Sequence, residues 1–163
     1  MSFVTINSSN YKAIAKIYAL GIATGFATFE TQIPDFKTWD KSHLPICRIA
    51  YQKNSKILGW CALSKVSDRD VYKGVAEVSL YVHPESWRQQ IGLQLLQKLI
   101  EESEKNGIWT LQCGIMEDNE ASLKLHAKCG FRTVGYREKV GYLNGQWKNN
   151  IIMEKRSKII GIS

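Results

Sequence analysis

Apolar positions along this chain change their spacing several times, and each change marks an element. Phe3 to Ile6 reads as an opening strand. In NSSNYKAIAKIYALGI, cap-type residues precede Ile14, Ile17, Tyr18 and Ile22, which share one face at helical spacing and predict an amphipathic helix. GFATFETQIPDFKTWDKSH mixes aromatics with Gly, Pro and polar residues, so it predicts a loop, with a short helix over Thr38 to His43. A loop with so many aromatics is a candidate ligand wall.

ICRIAYQ and KILGWCALSKV, on either side of Lys53-Asn54-Ser55, are rich in β-branched and aromatic residues and predict a hairpin. The loop SDRDVYKG leads to a strand, VAEVSLYV. Leu95, Leu96, Leu99 and Ile100 then repeat at helical spacing from about Ile91 to Asn106, and Gly107 closes that helix. IWTLQCGI reads as a strand. Asn119 opens a short helix, EASLKLHAKC, that Gly130 ends, and FRTVGYREKV and QWKNNIIMEK predict the last strands. No repeat or linker divides the 163 residues, so one domain is expected, with a mixed α/β or α+β sheet bearing helices on its faces.

Composition narrows the class. Hydrophobic residues make up 44% and charged residues 23%, as in a globular protein long enough to bury a core without disulfides or metals. The N-terminus lacks a basic segment followed by an apolar one, and no apolar run approaches the roughly 18 residues of a membrane span, so a cytoplasmic protein without membrane contact is expected. Cys47, Cys61, Cys113 and Cys129 stand apart, without the close pairs of metal or redox sites, and read as reduced core thiols. The charge of +7 points to an anionic partner. Basic residues are scattered except in the tail EKRSKIIGIS, without an aromatic-basic signature, so nucleic acid is not expected. A phosphate-bearing small molecule explains the same surplus, as does a solvated basic surface.

The junction EVSLYVHPESWRQQIGLQLL carries the first candidate chemistry. Alternation along VAEVSLYV puts Val75, Glu77, Ser79 and Tyr81 on one face and Ala76, Val78, Leu80 and Val82 on the other. Glu77 is a mid-strand carboxylate. It is either a salt-bridged or edge-solvated residue, or a partly buried base with a raised pKa suited to proton abstraction. The turn ESWRQQIG presents backbone N–H groups at a helix start, where the dipole end is positive, and Arg88 adds a charge; that combination binds phosphate oxygens.

Taken in order, IYALGIATGFATFET, SDRDVY, AEVSLYVHPE, the IG-x-x-LL-x-x-LI helix, DNEASLKLHAKCGF, VGYREKVGY and GQWKN span nearly the whole chain. In that order and spacing the sequence resembles the GNAT-type acyl-CoA-dependent N-acetyltransferases, and within them the phosphinothricin acetyltransferase-like branch. The resemblance implies the GNAT fold: a mixed, mostly antiparallel twisted sheet, splayed at the acetyl-CoA site, with helices on both faces. It implies that Leu80, Tyr81 and Val82 contact the acetyl-pantetheine arm through backbone groups. Arg88, Gln89, Gln90, Ile91, Gly92 and Leu93 would cradle the pyrophosphate, Asn119 would reach the pantetheine, and Lys128 is a further cofactor contact. The chain departs from the family turn, which carries a polar residue where Trp87 stands and a glycine where Gln90 stands.

On the acceptor side the resemblance assigns the loop Arg69-Asp70-Val71-Tyr72 to the substrate, with Phe29 and Glu30 lining the same pocket. An arginine suits the carboxylate or phosphinate of an amino-acid-like acceptor, although a solvated loop charge would read the same. His126 shares a helix face with Ser122 and Cys129 and reads as structural or catalytic on spacing alone. The branch carries histidine where other GNAT enzymes have a tyrosine that protonates the departing thiolate. The implied reaction is direct acetyl transfer from acetyl-CoA, with Glu77 taking a proton from the amine and His126 donating toward sulfur or serving as base. Cys129, at a helix C-terminus, is a poor nucleophile. A protein or peptide N-terminus as acceptor, and a CoA-binding module without turnover, are the competing readings. The family further implies a homodimer joined near the C-terminal strands.

Overall fold

The computed structural model describes residues Met1–Ser163, whose seven strands form one sheet in the order β1-β2-β3-β4-β5-β7-β6. Strand β1 (Ser2–Thr5) is followed by helices α1 (Tyr11–Thr24) and α2 (Phe36–Ser42), then by the hairpin of β2 (Ile49–Lys53) and β3 (Lys56–Lys65). Next come β4 (Val75–Val82), α3 (Ile91–Lys105), β5 (Thr110–Met116) and α4 (Glu120–Lys128). The hairpin of β6 (Arg132–Leu143) and β7 (Gln146–Arg156) ends the fold. All neighbouring strands are antiparallel except β4 and β5. No helix is long and apolar enough to cross a membrane.

The sheet separates two cores. Helix α1 lays Tyr11, Ile14, Ile17 and Tyr18 against Trp39, Ala50, Trp60 and Ala62 on one face. Helix α3 lays Ile91, Leu95, Leu96 and Leu99 against Cys61, Leu63, Val78 and Leu111 on the other. Alternation along β3 and β4 explains this division: residues paired across the ladder, such as Ala62 with Ser79 and Leu63 with Val78, share a face.

Element bounds differ from the sequence pattern where special backbone intervenes. The first strand ends at Thr5, one residue short of the expected Ile6, which is buried and binds the Arg48 carbonyl through its N–H. ICRIAYQ contributes a strand only from Ile49, because Cys47 is left-handed (φ 59°) and Arg48 turns to the carbonyls of Leu44, Asp40 and His43. The β2–β3 turn places Asn54 and Ser55 at φ 50° and 62°, and the β6–β7 turn places Asn144 and Gly145 at 51° and 77°. Positive φ at both central residues matches the twist of the flanking strands, and Asn-Gly is the pair best suited to it. The cysteines are all free and three are buried.

Candidate active site

Strands β4 and β5 pair only at Val75–Thr110, Ala76–Leu111 and Glu77–Gln112, and beyond Glu77 they diverge. Thr110 N–H bonds to the Gly74 carbonyl on the β5 side, while His83 N–H bonds to the Leu58 carbonyl on the β3 side. Since backbone groups alternate sides along a strand, those of Leu80 and Val82 face the gap. The Val82 carbonyl is taken by the Trp87 indole N–H at 3.0 Å. Trp87 thus ties the turn to the strand end, and the Leu80 N–H is left to open into the gap.

The turn carries backbone strain. Arg88 (φ 63°) and Gln90 (φ 61°) are both left-handed, although neither is glycine, and such a conformation costs an L-residue about 1–2 kcal/mol. Gln90 is the cap residue of α3 and makes no side-chain capping bond, so the N–H groups of the first turn stay open. Arg88 and Gln90 are exposed, and both line the cleft that starts here. Replacing Gln90 with glycine is expected to stabilise the fold by up to about 1 kcal/mol, because relief of strain exceeds the added freedom of the unfolded chain. A thermal melt of Gln90→Gly that falls below the unaltered protein would contradict this.

The cleft has a volume of about 1290 Å3 and runs from this turn through the β4–β5 gap to the loop after α1. Of the expected cofactor residues, Leu80, Tyr81, Val82, Arg88, Gln90, Ile91, Gly92, Leu93, Asn119 and Lys128 line it, and Gln89 does not. Asn119 already caps α4, its side chain accepting from Ser122 N–H at 3.3 Å. Phe29 and Glu30 line the far end with Tyr18, Tyr81 and Trp39. Arg69, Asp70, Val71 and Tyr72 are exposed and lie outside the cleft, with the Arg69 guanidinium 5.6 Å from the Tyr72 ring centre. The cations that line the cleft are Arg88 and Lys128, in the turn and at the end of α4.

Glu77 and His126 approach the gap from opposite sides. Glu77 shares a sheet face with Ser64 and Gln112, its ladder partners, and lines the cleft. It is exposed, which fits the edge-solvated alternative and not the partly buried one. His126 is 3% exposed and packs edge-on to Phe131 on the α3 side. Its Nδ1 lies 2.8 Å from the Ser122 carbonyl. A carbonyl only accepts, so Nδ1 carries the hydrogen and a neutral ring presents a bare lone pair at Nε2. Burial lowers the imidazole pKa from 6.5, partly offset by the Ser122 bond, and Nε2 is buried without a partner. Cys113, also on the cleft, has its thiol pushed up to about 12 by burial and is no nucleophile at neutral pH.

Sequence reasoning missed Asn150, Gly114 and His43, which also line the cleft. Asn150 could have been noticed as a polar residue directly before the apolar run IIM of β7.

Residues 14–131 match the family described as acetyltransferase (GNAT). The phosphinothricin N-acetyltransferase of Alcaligenes faecalis is 32% identical over 160 residues, covering 92% of this chain and 79% of that protein. The L-amino acid N-acyltransferase MnaT of Escherichia coli (strain K12) is 27% identical over 161 residues, covering 94% and 92%. Among solved structures, a GNAT superfamily phosphinothricin acetyltransferase from Sinorhizobium meliloti in complex with AcCoA superposes with a TM-score of 0.86 at 22% identity, covering 95% of this chain and 87% of that one. The splayed β4–β5 pair, the open start of α3 and the match through residues 14–131 agree: this chain belongs to the acetyltransferase (GNAT) family.

Proposed function

We propose that the protein is an acetyl-CoA-dependent N-acetyltransferase that acts by direct transfer on the amino group of a small amino-acid analogue, of the phosphinothricin, methionine sulfoximine or methionine sulfone type. The observation that carries this reading is one continuous cleft that joins the open first turn of α3 to the β4–β5 gap and to an aromatic chamber beyond it. Its residues fit the donor. The N–H groups at Ile91, Gly92 and Leu93 and the Arg88 charge suit a pyrophosphate, and the open Leu80 backbone suits an amide-bearing arm.

When bound there, acetyl-CoA supplies an activated acetyl thioester. The Glu77 carboxylate takes a proton from the incoming ammonium group, directly or through water, so that the free amine can attack. The Leu80 N–H, which opens into the gap, would donate to the acetyl oxygen as charge develops there, a contribution worth roughly 3–4 kcal/mol in other enzymes. His126 holds a bare Nε2, so it would take the second proton, which the nitrogen releases after attack, and return it to the departing sulfur as the carbon–sulfur bond breaks. The acceptor class is supported by the relatives, one named a phosphinothricin N-acetyltransferase and another an L-amino acid N-acyltransferase.

The same reading takes the protein to be cytoplasmic, in line with its free cysteines. It also takes it to be a homodimer joined through the β6–β7 hairpin, whose Tyr136, Tyr142 and Trp147 are each more than half exposed. Light scattering during size-exclusion chromatography tests the dimer. The activity is tested by acetyl-CoA-dependent thiol release with L-methionine sulfone, L-methionine sulfoximine, phosphinothricin and a short peptide, each against a blank without acceptor. Release with the small analogues alone is expected. Release with the peptide alone would replace this reading by a protein or peptide N-terminal acetyltransferase, and CoA binding without release would leave a binding module.

A further inference from the structure

Trp87 makes a bond that its burial does not explain. The residue is 50% exposed, yet its indole N–H donates to the Val82 carbonyl at 3.0 Å. An aromatic so far in solvent gains little from packing, so the bond is what it contributes to the turn. Val82 is the last residue of β4, and Trp87 stands directly before Arg88, the first of the two left-handed residues. The indole therefore joins the end of the strand to the strained part of the turn.

Up to Trp87 the chain is fastened by backbone bonds. Ser86 N–H reaches the His83 carbonyl at 2.8 Å, and Trp87 N–H reaches the Pro84 carbonyl at 3.2 Å. Beyond Trp87 the hold is weaker. The Gln89 amide reaches back to the Glu85 carbonyl at 3.3 Å, and Gln90, which makes no capping bond, is held through its carbonyl, which accepts from Gln94. L-residues adopt left-handed backbone at a cost, so Arg88 and Gln90 relax toward the favoured regions unless their neighbours prevent it. Relaxation would turn the first N–H groups of α3 away from the cleft.

The same bond sets what β4 offers to the gap. With the Val82 carbonyl taken, the backbone groups that remain open on that edge are those of Leu80 and the Val82 N–H. Building on the proposed acetyl-CoA site, we propose that Trp87 is a positioning residue for the donor: its indole N–H pins the turn to β4, so that Arg88 and Gln90 stay left-handed and the N–H groups of Ile91, Gly92 and Leu93 stay turned to the pyrophosphate. In this role Trp87 acts through the backbone of the turn and not by contact with the reacting atoms. The pin offsets the strain of a turn that carries side chains at both left-handed positions.

The test is CoA binding, measured by titration calorimetry without an acceptor, so that no turnover is needed. Trp87→Phe keeps a ring and deletes the indole N–H. It is expected to raise the Kd for CoA about three- to tenfold, the effect of one lost hydrogen bond, while the thermal midpoint falls by no more than about 4 °C. The same change is then made in a Gln90→Gly background. Glycine adopts left-handed backbone without steric cost, so less depends on the pin, and the rise in Kd is expected to shrink to about twofold or less. A residue that merely supported the fold would weaken binding equally in both backgrounds. Equal losses in the two backgrounds overturn the inference, as does an unchanged Kd in Trp87→Phe or a midpoint that falls well beyond that range. If the unaltered protein binds no CoA, the proposed function fails and the inference with it; if it binds CoA and Trp87→Phe binds it as well, only the inference fails.

Discussion

Replacing His126 with alanine is expected to lower kcat by roughly 10²–10⁴-fold, the range of a lost general acid–base group, with the KM for acetyl-CoA little changed. The expectation rests on the Nδ1–H bond to Ser122, which fixes the tautomer, and on burial, which keeps the ring neutral at neutral pH. The pH profile of kcat/KM should fall on the acid side as the ring protonates, at a value below 6.5, because burial lowers the folded-state pKa. The unfolded chain binds its proton near 6.5 and the folded chain only below that, so the unfolded state holds more protons as pH drops through this range. Stability should thus decline on the acid side of 6.5 and be fully present above it. His43, also depressed by burial, adds to the stability trend and not to the rate limb, which separates the two effects in a His126→Ala titration. Glu77→Gln should also slow turnover, and full kcat in both variants would remove them from the chemistry.

The parts that the sequence revealed and the parts that it hid differ in physical origin. VAEVSLYV and the Leu95–Ile100 pattern lie on elements whose two faces see different surroundings, so alternation and helical spacing locate β4 and α3 almost to the residue. The turn between them was legible through the same period change. Its left-handed Arg88 and Gln90 were not, because nothing in residue identity signals positive φ at an arginine or a glutamine. Local pattern also places Glu77 in mid-strand, but its exposure depends on how far α1 extends over the sheet. The position of Arg69 depends on where a surface loop comes to rest, which periodicity does not reach. Asn150 is legible only once the register across β5 and β7 sets it against Gly114.

Removing Trp60 is expected to have the largest effect on stability. The side chain is fully buried, stacks on Tyr18 with ring centres 5.6 Å apart, lies 5.0 Å from Tyr81 and meets Trp39 edge-on at 5.8 Å. Trp60→Ala loses those contacts and leaves a cavity that the flanking strands cannot close, which costs about 3–5 kcal/mol. At about 2–4 °C per kcal/mol for a chain of this size, the thermal midpoint should fall by roughly 6–20 °C. Trp60→Phe is expected to cost much less than the alanine change, because it keeps a ring and deletes an indole N–H that is buried without a partner. The two variants also report on function. Tyr18, Tyr81 and Trp39 line the cleft and lean on Trp60, so the alanine change should raise the acceptor KM even at temperatures where the protein remains folded. Tyr81 is the neighbour of Leu80, whose N–H faces the gap, and a shifted Tyr81 ring would disturb that strand and reduce kcat as well. A melt unchanged by Trp60→Ala would mean that the aromatic cluster does not support the sheet, whereas a large loss of stability with unaltered kinetics at low temperature would separate the core from the site.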